Sequence, residues 1–123
     1  MRVMRVRFVV GLALALLAAC GSDKTSGVTP PGSTNKTVDI FTVGDTFSPT
    51  FATLSVGDTA RWNFAGGSDG QGHNVRFTPR VATTPADVNV LKTGTASRVF
   101  TTKGTYNYVC DVHPGMNAQI VVQ

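Results

Sequence analysis

From Thr37 to the end of the chain, apolar and polar side chains alternate in short runs that are rich in Val, Thr, Phe and Tyr. Alternation with a period of two is typical of strands with one buried face, and no stretch shows the 3.6-residue apolar period of an amphipathic helix. Gly, Asp and Pro separate the runs and indicate turns. The predicted strands are residues 37–43, 53–56, 60–64, 74–77, 97–100, 105–110 and 118–123.

Seven short strands in one domain predict an all-β fold, a two-sheet antiparallel Greek-key β-sandwich. We expect Trp62 and Phe64, which alternate inward on their strand, to lie in its core. Residues 78–94 fit the strand pattern poorly, so an irregular excursion or a helical turn is expected there.

The N-terminal residues predict an export signal. A basic start, MRVMRVR, precedes the apolar stretch FVVGLALALLAA, which is too short to span a membrane comfortably. The stretch ends in LAAC, which resembles the lipobox of bacterial lipoproteins, so residues 1–19 are expected to be removed and Cys20 to be acylated. The alternative is an ordinary signal peptide cut elsewhere, which would leave Cys20 as a free thiol.

The next segment, residues 20–36, consists mainly of Gly, Ser, Thr and Pro. Such a composition cannot bury a core and is typical of a flexible linker. The remaining residues, 37–123, have the length of one small domain. The sequence thus predicts a lipid-anchored sandwich domain on a tether, in the cell envelope at the periplasmic or extracytoplasmic face of a membrane.

Charge and cysteine content narrow the function. The chain has 11 basic and 7 acidic residues. Three of the basic residues, Arg2, Arg5 and Arg7, lie in the predicted signal peptide, so the exported part is close to neutral. No basic patch with interleaved aromatic residues occurs, so we expect no binding to nucleic acid. Acylation of Cys20 would leave Cys110 as a lone thiol and rule out the disulfide that two exported cysteines usually suggest.

Candidate metal ligands are concentrated near Cys110, in the run YVCDVHPGM. Cys110, His113 and Met116 follow one another at intervals of three, and Pro114 with Gly115 allows a sharp turn between them. His73, the other histidine of the chain, begins a predicted strand and is a candidate fourth ligand. Taken alone, a buried cysteine is usually an inert small apolar residue. Together, one thiolate, two imidazoles and a thioether suit copper better than zinc or an iron–sulfur cluster.

The sequence resembles the cupredoxins, the blue copper proteins of plastocyanin, pseudoazurin and amicyanin type. The resemblance covers Val38 to Gln123 and rests on the motifs GHNV, GTYNYVCDVHPGM and AQIVV. It implies a cupredoxin-like fold with one type 1 copper ion. The implied ligands are His73, Cys110 and His113 in a trigonal plane, with Met116 as a long axial ligand.

The resemblance also implies roles around these ligands. Asn74 would brace the loop beside Cys110, and the backbone N–H groups of Asn74 and Val112 would donate to the cysteine sulfur. Amicyanins have proline at the second of these positions, so a donor at Val112 would raise the reduction potential. Asp111 departs from the family pattern, and strand alternation predicts that it faces solvent. The ring edge of His113, beside Pro114, would be the electron port within an apolar patch.

The expected function is a membrane-tethered, monomeric type 1 copper protein that carries single electrons between transient redox protein partners. An alternative is a copper-binding or delivery protein of the cell envelope that has no role in an electron chain. A third reading is a metal-free sandwich with a structural or adhesive role. We expect no enzymatic activity, because a copper enzyme would need further histidine-rich centres and the chain has two histidines.

Overall fold

The computed structural model describes residues 35–123, which form nine β-strands and no helix. The predicted signal peptide, Cys20 and almost all of the predicted linker lie outside the described residues. Within residues 35–123, no helix is long and apolar enough to cross a membrane. The strands are β1 (Thr37–Val43), β2 (Thr46–Ser48), β3 (Phe51–Leu54), β4 (Thr59–Phe64), β5 (His73–Phe77), β6 (Val88–Leu91), β7 (Gly94–Val99), β8 (Gly104–Val109) and β9 (Asn117–Val122).

Two sheets form the sandwich, and they confirm the predicted all-β fold class. One sheet has the strand order β2-β1-β4-β7, and the other has the order β3-β9-β8-β5-β6. Both sheets are mixed, because β1 pairs with β4 in parallel and β3 pairs with β9 in parallel. The other strand pairs are antiparallel, as predicted, but for these two pairs the prediction was wrong. Parallel neighbours need a crossover, and the chain provides one by passing through β2 and β3 before it returns as β4.

Five predicted strands agree with the structure to within one residue at each end: β1, β4, β5, β8 and β9. The predicted runs 53–56 and 97–100 are displaced, since the strands there are β3 and β7. The short strands β2 and β6 were not predicted. β6 lies within residues 78–94, which contain no helical turn; residues 78–87 form turns and irregular chain before that strand begins.

The core lies between the sheets, and its largest fully buried side chains are aromatic. Trp62 and Phe64 point inward as predicted, with 0% and 6% of their surfaces exposed. The Trp62 ring meets Tyr108 edge to face, with ring centroids 5.5 Å apart, and Phe77 at 6.2 Å. Such rings bury large areas and restrict one another's orientation. Tyr108 is thereby fixed two residues before Cys110, so the core aligns the end of β8.

Three connections meet at one end of the sandwich. They are the β1–β2 turn at residues 44–45, the β4–β5 connection at residues 65–72 and the β8–β9 connection at residues 110–116. Side-chain hydrogen bonds join the first to the second, and the second to the third. The predicted metal ligands lie on or beside these connections.

Candidate metal centre

His73, Cys110 and His113 come together in the structure as one buried cluster. Their ligand atoms all lie within 4.8 Å of one another. The Cys110 Sγ atom is 3.9 Å from His73 Nδ1 and 3.8 Å from His113 Nδ1. His73 is 0% exposed, Cys110 is 4% exposed and His113 is 7% exposed.

The spacing of these donors fits a single metal ion. Metal–nitrogen bonds are about 2.0 Å long and metal–sulfur bonds about 2.3 Å. If these bonds make an angle of about 120° at the metal, the nitrogen and sulfur atoms lie about 3.7 Å from each other. Both sulfur–nitrogen separations are close to that value. His73 also has its Nε2 atom buried without a hydrogen-bond partner among the described residues, so Nδ1, facing Cys110, is the ring atom that has polar neighbours. A buried set of one thiolate and two imidazoles is suited to copper.

The ligand loop is closed by its own backbone. Cys110 N–H donates to the Met116 carbonyl at 2.9 Å, and Met116 N–H donates to the His113 carbonyl at 3.2 Å. Gly115 has a φ of 87°, a left-handed conformation that glycine adopts without a steric penalty. Met116 is 2% exposed and belongs to the same apolar cluster as Cys110. Its role as the axial ligand stays a prediction.

The surroundings of Cys110 favour the thiolate. Burial alone would raise the pKa of the thiol, but hydrogen bonds from the Asn74 backbone, the His113 side chain, and the His113 and Val112 backbones lower it overall. The two predicted backbone donors, Asn74 and Val112, are both among these groups. Each N–H stabilises negative charge on sulfur, which is the form that binds a metal.

The two histidines have different environments. Burial, and then the nearby His113, lower the pKa of His73, which keeps that ring neutral and able to bind a metal. Contact with the Cys110 side chain, and then with Asp69, raises the pKa of His113. His113 therefore interacts with negative groups at both of its ring nitrogens.

Asn74 connects the two strands that carry the ligands. Its Oδ1 atom accepts the Asp111 backbone N–H at 2.8 Å, beside Cys110, and its bracing role at the metal site stays a prediction. Asp111 faces solvent as predicted, and Arg76 and Asn74 both donate to its carboxylate. The Arg76 bond, and then the Asn74 bond, lower the pKa of Asp111. The carboxylate charge is thus paired outside the metal centre.

The predicted electron port has unexpected neighbours. Pro114 is exposed in the ligand loop, but His113 is buried. Its Nε2 atom lies 3.2 Å from Asp69 Oδ1 and 3.5 Å from Asp45 Oδ1. The ring edge therefore faces two carboxylates, where the sequence had suggested an apolar patch.

Sequence reasoning missed Asp45 and Asp69 because neither belongs to a strand or to the ligand motif. The available signal was the glycine-rich run GGSDGQG, which immediately precedes His73 and contains Asp69. Asp45 follows a glycine in a turn 68 positions before His113, and no spacing rule connects the two.

Comparisons with known proteins agree with this geometry. The sequence profile of the family described as copper binding proteins, plastocyanin/azurin family, matches residues 37–123. A comparison with curated protein sequences found no match.

Several solved structures are similar. A copper-containing nitrite reductase from Thermus scotoductus SA-01 matches at 26% identity with a TM-score of 0.61, over 70% of this chain and 22% of that enzyme. The chain thus spans about a fifth of the enzyme's length. Two amicyanin variants match more of their own length. A reduced Cu(I) form at pH 4 is 26% identical with a TM-score of 0.60, over 71% of this chain and 82% of amicyanin. An oxidised proline-to-alanine variant is 27% identical with the same TM-score and coverage.

The buried His–Cys–His set and the family match together support one copper ion as the cofactor. Because the match covers the whole sandwich, with its ligand motif, the chain belongs to the plastocyanin/azurin family of copper-binding proteins.

Proposed function

We propose that this protein is a membrane-tethered carrier that passes single electrons between transient redox partners. The observation that carries the proposal is the buried cluster of His73, Cys110 and His113 at one end of the sandwich. When bound there, copper would supply one-electron chemistry by alternating between Cu(I) and Cu(II). The family match and the similarity to amicyanin support a copper electron-transfer protein; the membrane tether and the redox partners are proposed in addition.

The protein's contribution is to keep the ligands in place. His73 begins β5 and Cys110 follows β8, and these strands are hydrogen-bonded neighbours. The Asn74–Asp111 bond and the Cys110–Met116 backbone bond add two fixed points beside the thiol. A site fixed in this way changes little when its charge changes, which lowers the cost of electron transfer.

The donor set favours a carrier over an enzyme. Both histidines of the chain lie in the same cluster, so none is left for a second copper centre. The similarity to nitrite reductase extends over about a fifth of that enzyme and is consistent with a shared sandwich domain. We therefore propose that this chain is not itself a catalyst.

The proposed membrane tether is supported by the N-terminal sequence, residues 1–36. Acylation at Cys20 and a flexible linker would hold the domain, which we propose to be a monomer, close to membrane donors and acceptors and would raise its effective concentration there. Redox encounters bury little surface and dissociate quickly. From the N-terminal sequence we propose that the protein lies in the cell envelope, at the periplasmic or extracytoplasmic face of a membrane.

Copper binding is tested with visible and EPR spectra of the purified protein after Cu(II) is added. We expect an intense thiolate–copper absorption that is absent in Cys110→Ala, and a higher melting temperature in the wild type alone. Absence of both signals in the wild type would contradict the proposal.

A second measurement separates a carrier from a delivery protein. The loaded protein is cycled at an electrode and then exposed to a copper chelator. A carrier should cycle reversibly and retain its copper, whereas a delivery protein should lose copper rapidly to the chelator.

The tether is tested by mass spectrometry of the mature protein. We expect acyl chains on an N-terminal Cys20, and release of the protein from membranes in Cys20→Ala. A soluble wild-type protein that retains an unmodified Cys20 would contradict the tether and leave the copper site unaffected.

A further inference from the structure

His113 is covered by a loop that the ligand motif does not contain. This cover loop, residues 66–71, lies between β4 and β5. Its backbone is folded on itself, since Gly67 N–H donates to the Gln71 carbonyl at 2.7 Å and Gly70 N–H donates to the Gly67 carbonyl at 3.0 Å. Asp69 lies at the tip of this turn, and its Oδ1 atom accepts the Gln71 backbone N–H at 2.8 Å. The Asp69 carboxylate is therefore held in one orientation.

That orientation points the carboxylate at His113. Asp69 Oδ1 is 3.2 Å from His113 Nε2, on the opposite side of the ring from the Nδ1 atom that faces Cys110. When Nδ1 binds the metal together with Cys110, the proton of the neutral ring is on Nε2, the atom that faces Asp69 and can donate to it. A carboxylate bonded to the outer nitrogen of a ligand histidine fixes the ring's tautomer and orientation and makes the ring a stronger ligand.

A second aspartate holds the cover loop in place. Asp45, in the β1–β2 turn, accepts the Ser68 backbone N–H at 3.0 Å and also the Ser68 hydroxyl. The loop consequently lies very close to the ring: a Cβ atom on Gly67 would be 2.6 Å from His113 Cε1. Among the described residues, the ion pairs of Asp45 and Asp69 are with His113 alone, so no Lys or Arg neutralises these carboxylates.

We propose that Asp69 is a positioning residue of the copper site, which orients His113 toward Cys110 and stabilises Cu(II) relative to Cu(I), while Asp45 anchors the cover loop that carries it. This inference rests on the proposed function, because it concerns the ease with which the bound metal is reduced. Cu(II) carries one charge more than Cu(I), so a fixed negative charge beyond the ring stabilises the oxidised form more. The cover loop thus lowers the reduction potential.

The test compares copper-loaded Asp69→Asn with the wild type by voltammetry. Asparagine keeps an oxygen that can accept from His113 and from the Gln71 backbone, so the variant removes charge with little change in the loop. We expect the ratio of Cu(II) to Cu(I) affinity to fall about tenfold, which raises the potential by about 59 mV for a one-electron couple. Asp69→Ala, which also removes the acceptor, should raise the potential at least as much and speed the loss of copper to a chelator.

Asp39→Asn is the matched control. Asp39 is a half-buried carboxylate on β1 whose hydrogen bonds are to Arg61 and Asn63, not to the cover loop. Its removal changes the net charge equally but leaves the cover loop intact. We expect its potential to stay close to that of the wild type.

The outcomes separate this inference from the proposed function. If wild-type protein binds and cycles copper but both Asp69 variants have the potential of Asp39→Asn, the positioning role is overturned and the carrier stands. If the wild type forms no thiolate–copper site, the proposed function fails first. A melting temperature of copper-free Asp69→Asn close to that of the wild type, together with the higher potential, supports positioning over a general effect on folding.

Discussion

The Asn74 side chain makes two hydrogen bonds with Asp111, one from each end of its amide. Its Oδ1 atom accepts the Asp111 backbone N–H at 2.8 Å, and its Nδ2 atom donates to the Asp111 carboxylate at 3.0 Å. Each residue follows a predicted copper ligand, since Asn74 comes after His73 and Asp111 after Cys110. The pair therefore fixes the position of one ligand relative to another across two strands.

Loss of this pair should loosen the site. Asn74 is 6% exposed, so Asn74→Ala would leave the Asp111 N–H without its partner and is expected to lower the free energy of unfolding by about 1–3 kcal/mol. Copper should also dissociate faster. Chemical unfolding and chelator competition measure the two effects. Asn107→Ala, which removes only an exposed bond to Gln119, is the control; equal losses in the two variants would contradict the bracing role.

Val112→Pro removes one backbone donor to the Cys110 sulfur. That N–H helps to lower the pKa of the thiol by drawing charge from sulfur, so its loss should favour Cu(II). We expect the reduction potential to fall by about 40 mV, which corresponds to one hydrogen bond worth about 1 kcal/mol. Val112→Ala keeps the N–H and should leave the potential nearly unchanged. An unchanged or higher potential in the proline variant would refute this role.

Gly67→Ala should disturb the copper site without touching a ligand. The added Cβ would lie 2.6 Å from His113 Cε1 and 2.7 Å from its Nε2, so the ring or the cover loop must move. We expect altered EPR parameters and weaker copper binding. Gly66→Ala is a close control, because its Cβ would have no neighbour nearer than 3.8 Å. Identical spectra for the two variants would show that the loop is not packed on the ring.

Acid should weaken the contact between β1 and β4 through Asp39. Bonds from Arg61, and then from Asn63, lower the pKa of Asp39 from 3.8 to about 2. Because the folded-state pKa is below the unfolded value, the ionised carboxylate stabilises the fold above about pH 4, and this contribution disappears as the pH falls toward 2. Urea unfolding at pH 7, 4 and 2 should show Asp39→Asn less stable than the wild type at pH 7 and nearly equal to it at pH 2. A constant difference across that range would contradict the assignment.

The fold class was predictable because it follows from local patterns. Period-two alternation located five of the nine strands, and the same alternation placed Trp62 and Phe64 in the core. The three-residue strand β2 is too short to show a period, and β6 is preceded by an irregular segment that obscures it. The parallel pairs β1–β4 and β3–β9 were not predictable either, because pairing depends on how strands distant in sequence pack, which alternation does not encode.

The sequence by itself determined which residues are candidate ligands and which metal such a set suits, since Cys110 and His113 are close along the chain and His73 starts a recognisable strand. Only the tertiary structure decided what lies outside the ring of His113. Asp45 and Asp69 reach it from two other connections, and their positions depend on the packing of loops at one end of the sandwich. Donor chemistry is a property of residue type and local spacing, whereas the electric field at the site is the sum of charges that folding brings together.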